Sequence, residues 1–324
     1  MIRIREMKLA GLAAGMLLMA AFFAGCGPAG ADKDTVAVVN GESIALEVLD
    51  KNFLLIERTY KQIYGDTIMT EQIDGKSVRS IVLAETLDNL IDDALITQKL
   101  EKDGFKASDE EVEKRYADFT ANELEKNPDS KAFYESNGIG KEFIQNAIRS
   151  QIYVNEFTQR IHDDVLLKST DLDARFKEYV VEVRARHILV ESEGDAQALL
   201  ERLKMGEDFA VLAKAESIDP GSATKGGDLG FFKRGAMVKE FDTVAFSLKP
   251  GDTSEPVKTQ FGYHIIQVTE QRTVQGMLDE GVAEEELKAE REAMVKGIID
   301  ARIASEKKAL RDQAVIEKYE DKLK

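Results

Sequence analysis

One cysteine, Cys26, and three histidines are all that 324 residues contain of the two side chains most used for metal binding and redox work. A lone cysteine excludes an intramolecular disulfide, even in a compartment that would permit one. Clustered basic charge is also missing. Forty-four lysines and arginines stand against 60 aspartates and glutamates, and the formal net charge is −16. Phosphate binding needs concentrated cationic charge, so nucleic acid is excluded as a partner, and the body of the protein is kept off an anionic lipid surface. No His/Cys/Asp set has ligand spacing, so no metal is expected. Gly226-Gly227 opens no helix in the manner of a phosphate-binding loop, and no cofactor is expected. There is no internal repeat, and no low-complexity tract beyond residues 27–34.

Long apolar runs are limited to one, residues 9–23. Arg3, Arg5 and Lys8 precede it and small residues follow, the layout of a signal peptide rather than of a spanning helix. It ends in Phe23-Ala24-Gly25-Cys26, which resembles a bacterial lipobox. That resemblance implies thioether lipidation of Cys26, cleavage before it and acylation of the new amino terminus. Two or more acyl chains give a stable hold on a bilayer where one does not. The implied location is the cell membrane, lipid-anchored on its extracytoplasmic face. Cleavage would remove Arg3, Arg5, Lys8 and Glu6, a net +2, leaving about −18, a charge compatible with basic or unfolded clients.

Residues 35–44 predict a hairpin around Asn40-Gly41. A helix is expected over 45–64, and the strongest over 77–102, where Leu83, Leu87, Leu90, Ile91 and Leu95 recur at helical spacing and Gly104 follows as a stop. Ser108 to Glu111 reads as a capping box opening a helix over 109–126, ended by Asn127-Pro128. Further helices are expected over 140–163 and up to Tyr179. Composition changes at Val181, where a β-branched run begins, and the order to residue 269 is β-α-α-β-α-β-β. Residues 276–321 return to helix. Their apolar positions, Met294, Ile298, Ile299, Ile303 and Leu310, are too sparse for a core of their own.

Three segments carry most of the chemistry: Arg184-Ala-Arg-His187-Ile-Leu-Val190, Gly226-Gly-Asp-Leu-Gly-Phe-Phe232 and Phe261-Gly-Tyr-His264-Ile-Ile-Gln-Val268. Two of the three histidines thus lie in apolar β-like runs, where an imidazole is costly. Taken alone, a buried histidine is commonly a packing residue, and Met237 and Phe241 at i, i+4 are the spacing of plain helix core. In order and wording, however, the segments resemble the parvulin family of peptidyl-prolyl cis/trans isomerases. The resemblance implies an apolar proline pocket of Leu229, Met237 and Phe241 with Phe232 in the same wall. It makes His187 and His264 a mutually oriented pair in the site floor and Asp219 a carboxylate tuning its electrostatics, the three counted as catalytic. Phe261 stands where some members carry Ser or Thr, which removes one hydroxyl from the network; it is counted with the substrate-binding residues. Lys225, Lys233, Arg234 and Lys239 are dispersed, so no phosphate reading is expected. His162, beside Asp163 and Asp164, reads as a surface residue.

The full layout resembles PrsA-type foldase lipoproteins and, more distantly, SurA-type chaperones. The expected fold class is α+β: a parvulin-type small antiparallel sheet wrapped by helices, inserted in a mostly α-helical chaperone domain. The implied domains are a signal peptide (1–25), a linker (26–34), an N-terminal helical chaperone domain (35–180), an isomerase domain (181–271) and a C-terminal helix packing on the N-terminal domain (272–324). The implied partners are unfolded or newly secreted proteins with X-Pro bonds, and a membrane through the lipid anchor; a homodimer is left open. The rival is a holdase whose parvulin module is silent and only binds clients. The intact pocket and both histidines favour an enzyme. From the lipobox, Cys26→Ala should leave the precursor uncleaved and unlabelled by radioactive fatty acid; normal labelling would refute the anchor.

Overall fold

The computed structural model describes residues 34–323, save 74 and 168 and the side chains of 169 and 170. The expected signal peptide, Cys26 and all but the last residue of the linker lie outside the described residues. No helix among the described residues is long and apolar enough to cross a membrane. The chain divides into two compact units, residues up to 165 with 299–324, and residues 166–298.

In the first unit, β1 (Thr35–Val39) and β2 (Glu42–Ala45) form an antiparallel hairpin. Its turn places Asn40 and Gly41 at positive φ, as a two-residue hairpin requires. Helix α1 (Leu46–Tyr64) follows, then a short hairpin of β3 (Gln72–Ile73) and β4 (Lys76–Ser77) that the sequence pattern did not announce. Helix α2 (Val78–Lys102) starts where the Ser77 side chain accepts the Ser80 amide and stops before Gly104, at φ +85°. Its Val82, Leu87, Leu90, Ile91 and Ala94 meet Leu49, Phe53 and Ile56 of α1 in the core of the unit.

The helix expected over 109–126 is α3 (Asp109–Phe119) continued by one wide turn over residues 120–124. Only half of its capping box forms. Ser108 accepts the Glu111 amide, but the Glu111 carboxylate accepts from Arg115 at 2.6 Å instead of reaching back. Asn127-Pro128 ends one helix and opens another. Asn127 caps α4 (Pro128–Ser136), with Pro128 in the first turn, where a missing N–H costs nothing. Helix α5 (Lys141–Leu167) closes this stretch.

The second unit opens with α6 (Ser169–Glu178) and continues β5 (Val180–Val190), α7 (Glu193–Lys204), α8 (Phe209–Glu216), β6 (Asp228–Lys233), α9 (Lys239–Ala245), β7 (Val257–Thr259) and β8 (Gly262–Thr273). The sheet order is β6-β5-β8-β7, antiparallel throughout. Strands β5 and β8 pair along nearly their full length, from Val180 opposite Thr273 to Val190 opposite Tyr263. Alternation then sorts the side chains. Ile188, Val190 and Ile265 join α7 and α8 in one core layer. Val183, Ala185, Ile266 and Val268 join α9 in the other. Helices therefore cover both faces of the sheet, the α+β class expected.

The C-terminal part departs from a single helix over 276–321. Thr273 caps α10 (Val274–Asp279), a turn at residues 284–287 follows, and only then comes α11 (Lys288–Gln313). Gly281, at φ +92°, breaks the run. The first part of α11 belongs to the second unit: Met294 is buried there, and Arg291 pairs with Asp173. From Ile299 the chain belongs to the first unit and ends with β9 (Ile316–Lys318), a third strand beside β1 that no residue pattern suggested. Leu310, Ala314 and Ile316 pack on the first unit's core. Arg311 adds a polar clasp, donating to Asp92 at 2.5 Å, to the Asp88 carboxylate at 3.3 Å and to the Asp88 carbonyl at 2.7 Å. Arg311→Ala should therefore destabilise the first unit by roughly 1 kcal/mol, since Asp88 and Asp92 lose their shared partner but keep Lys318 and Lys307. Urea melts followed by helix content would show this, and an unchanged midpoint would deny the clasp a role.

Candidate active site

His187 lies on β5 opposite Ile266, and His264 lies on β8 opposite Leu189. They are diagonal neighbours on one face of the sheet, within reach of each other's rings. The rings stack at 5.2 Å between centroids and 20° between planes, and their Nδ1 atoms are 3.0 Å apart. Both are buried. Phe241 of α9 stands edge-on to both, 5.6 Å from His187 and 5.3 Å from His264. Gly227, at φ +84°, lies where any Cβ would strike the His187 carbonyl. That close approach lets the Gly227 carbonyl accept the His187 amide at 3.0 Å and seats the loop after α8 against the strand.

The far nitrogen of each ring is also engaged. His187 Nε2 is 2.9 Å from Asp219 Oδ2 and 2.9 Å from Ser222 Oγ. His264 Nε2 is 2.8 Å from Thr259 Oγ1, which itself accepts the Phe261 amide at 3.1 Å. Burial pushes Asp219 upward, but hydrogen bonds from Ser222, His187 and the Gly221 amide outweigh it and hold the carboxyl at about 2. Burial, with the neighbouring His187 acting the same way, holds His264 down at about 4 against the opposing pull of Asp219.

These facts orient the chain. An ionised Asp219 can only accept, so the proton of a neutral His187 sits on Nε2. His187 Nδ1 must then accept from His264 Nδ1–H, and His264 Nε2 accepts from the Thr259 hydroxyl. Every donor points one way, from the Phe261 amide through Thr259, His264 and His187 to Asp219.

Over this floor lies an apolar cluster. Phe232 and Phe241 are buried, with ring centroids 6.2 Å apart, and Leu229 and Met237 are partly buried in the same layer. The layer is walled by Phe246, whose ring meets Phe232 edge-on at 6.0 Å.

The model of the PPIC-type PPIASE domain matches residues 185–270, and that of a SurA-like N-terminal domain matches residues 1–139. The foldase protein PrsA of Caldanaerobacter subterraneus subsp. tengcongensis is 35% identical over 295 residues, 90% of this chain and 85% of that one. The chain belongs to the PrsA foldase family. PrsA of a Geobacillus species is 46% identical over 127 residues, 39% of this chain and 46% of that one. A crystal structure of PrsA from Bacillus anthracis aligns at 31% identity and a TM-score of 0.38, over 69% of this chain and 93% of that chain. As a PrsA-family foldase with a PPIC-type domain, the protein is a peptidyl-prolyl cis/trans isomerase.

Of the residues singled out in the sequence, the structure brings together His187, His264, Asp219, Leu229, Phe232, Met237 and Phe241. Phe261 stands apart. It lies on the turn between β7 and β8, 59% exposed and outside the apolar cluster. Two polar members were missed, Thr259 and Ser222. The hydroxyl expected to be lost at position 261 is supplied two residues earlier, by Thr259. A Thr at the end of a short strand and a Ser in a loop carry no signal in one sequence; the only hint was that two buried imidazoles present four nitrogens and the motifs offered fewer partners.

The low value of His264 makes a statement about stability. Between pH 6.5 and about 4 the unfolded chain takes up a proton that the folded ring refuses. Stability is then full above pH 6.5, falls as the pH drops through this window and levels below about 4, with a total loss of roughly 3 kcal/mol at 1.36 kcal/mol per pH unit. Asp219 adds its own loss only below 3.8, its ordinary value. Burial raises Asp93 of the first unit to about 7, which acts in the opposite direction over the same range, so the expected result is a difference: between about pH 7.5 and pH 4.5 the wild type should lose more stability in urea melts than His264→Gln does.

Proposed function

We propose that the protein is an extracytoplasmic foldase, held by a lipidated Cys26, that isomerises X-Pro bonds in newly secreted chains while its helical unit shields them. The observation that carries the reading of the site is the hydrogen-bonded chain Thr259–His264–His187–Asp219, its two imidazoles buried, lying under an apolar cluster of Leu229, Phe232, Met237 and Phe241.

Rotation about an X-Pro amide has a barrier of roughly 18–20 kcal/mol and takes tens to hundreds of seconds unaided. No bond to the substrate need form. The planar amide carries charge separation on its oxygen and nitrogen, and the twisted amide has less of it. A dry wall that holds the proline ring therefore favours the twisted form over the planar one, which is the differential binding that catalysis requires. In this reading Met237, Leu229, Phe232 and Phe241 grip the ring. His264, held toward the neutral form by burial, and His187 form the floor, and Asp219 anchors the pair through His187. Phe261, exposed at the rim, meets the chain flanking the proline.

The family name supports foldase work, and the signal-peptide layout of the first 25 residues supports export. The lipobox supports anchoring, and the acidic body supports capture of basic, unfolded segments. The test of the site is exchange of a cis/trans X-Pro peptide with the full chain. Met237→Ala combined with Phe241→Ala should reduce kcat/KM by about a hundredfold, one partly buried and one buried apolar side chain together being worth about 3 kcal/mol. Helix content should be kept. Unchanged turnover in the folded double variant would refute the pocket, and a wild-type protein that suppresses aggregation without accelerating exchange would favour a holdase.

A further inference from the structure

Ser222 lies in the loop after α8 and is 1% exposed. Its hydroxyl has two neighbours, Asp219 Oδ2 at hydrogen-bond distance and His187 Nε2 at 2.9 Å. A carboxylate cannot donate, so the hydroxyl proton goes to Asp219, and the Ser222 lone pair faces the His187 N–H. The Ser222 amide donates to the same carboxylate oxygen at 3.1 Å. Its carbonyl accepts the Gly227 amide at 2.9 Å, and Gly227 in turn accepts the His187 amide at 3.0 Å. One buried serine is thereby joined to the carboxylate, to the imidazole and, through Gly227, to the backbone that carries the imidazole.

We propose that Ser222 is a positioning residue for the isomerase: its hydroxyl holds Asp219 and His187 in one mutual geometry, keeps the His187 proton on Nε2, and so sets the direction of the hydrogen-bond chain under the proline pocket. The inference rests on the role proposed above for that chain. Without the hydroxyl, Asp219 keeps the amides of Gly221 and Ser222 but loses the donor that draws its Oδ2 toward the ring. His187 Nε2 loses one of two acceptors. The carboxylate can then rotate, and the ring is free to move its proton to Nδ1, which reverses the donor–acceptor match with His264 and leaves the Thr259 hydroxyl facing an N–H.

The chain holds only three histidines, so 15N-histidine labelling of the full protein reads each ring nitrogen directly. In the wild type, His187 should show its proton on Nε2 and His264 on Nδ1; a His187 protonated on Nδ1 overturns the proposal. Ser222→Ala should mix the tautomers of both rings and lower kcat/KM by about tenfold, the order of one charge-assisted hydrogen bond. Ser222→Thr, which keeps the hydroxyl, should restore both. Lost activity with both tautomers intact would mean a merely structural serine and overturns the proposal. Full kcat/KM in Ser222→Ala while Asp219→Ala is impaired sinks the role of Ser222 alone. Full kcat/KM in both sinks the reading of the chain and Ser222 with it. Should Ser222→Ala fail to fold, Ser222→Cys, which fills the same space without a strong donor, is judged by the same criteria.

Discussion

Two imidazoles on one face of a buried sheet present four ring nitrogens, and a buried polar atom without a partner costs about 1–3 kcal/mol. Satisfying all four without placing a charge in the core is the constraint that organises the second unit. The antiparallel register of β5 and β8 sets the rings diagonally, so that their Nδ1 atoms can meet. The outer nitrogens then need one acceptor and one donor. The loop after α8 brings the acceptor, Asp219, and the end of β7 brings the donor, Thr259. The glycine at 227 permits the first loop to come close enough, and Phe241 seals the top of both rings.

The same constraint explains why the site is quiet electrostatically. The ionised Asp219 sits at the end of the chain, 23% exposed, where solvent and the Gly221 and Ser222 amides share its charge. Burial drives the His264 ring toward neutrality. Charge is thus kept at the margin and apolar surface at the centre, the arrangement suited to a reaction whose transition state is less polar than its ground state. A catalyst of this kind needs rigidity and dryness more than reactive groups, and the motifs contain little else.

Much of the fold was legible in the residues. The Asn40-Gly41 hairpin, the long amphipathic helices and the β-α-α-β-α-β-β order follow from local rules of turn chemistry and periodicity, and the structure has them within a few residues. The misses have a common cause. The two-residue strands β3 and β4, and β9 beside β1, are too short to show a period, and β9 exists only because β1 offers it an open edge. Helix α4 was obscured because Asn-Pro serves equally to end one helix and to start the next. The capping box at Ser108 formed by half because Glu111 had a nearer cation in Arg115. In each case a local signal was ambiguous and a neighbour in space decided it.

The candidate site divides along the same line. Residues that repeat a motif, His187, His264, Leu229, Phe232, Met237 and Phe241, were visible because the motif records chemistry as order along the chain. The sequence by itself determined the class of fold, since alternation along a strand and spacing along a helix settle which side chains share a face, and the resemblance of its motifs implied the apolar pocket and the histidine pair. Tertiary structure alone decided which hydroxyls complete the polar chain, which way its protons point and that Phe261 is exposed outside the apolar cluster. Those depend on loops meeting strands, Ser222 under His187 across 35 residues and Arg311 on Asp88 across 223, and no local rule relates positions so far apart.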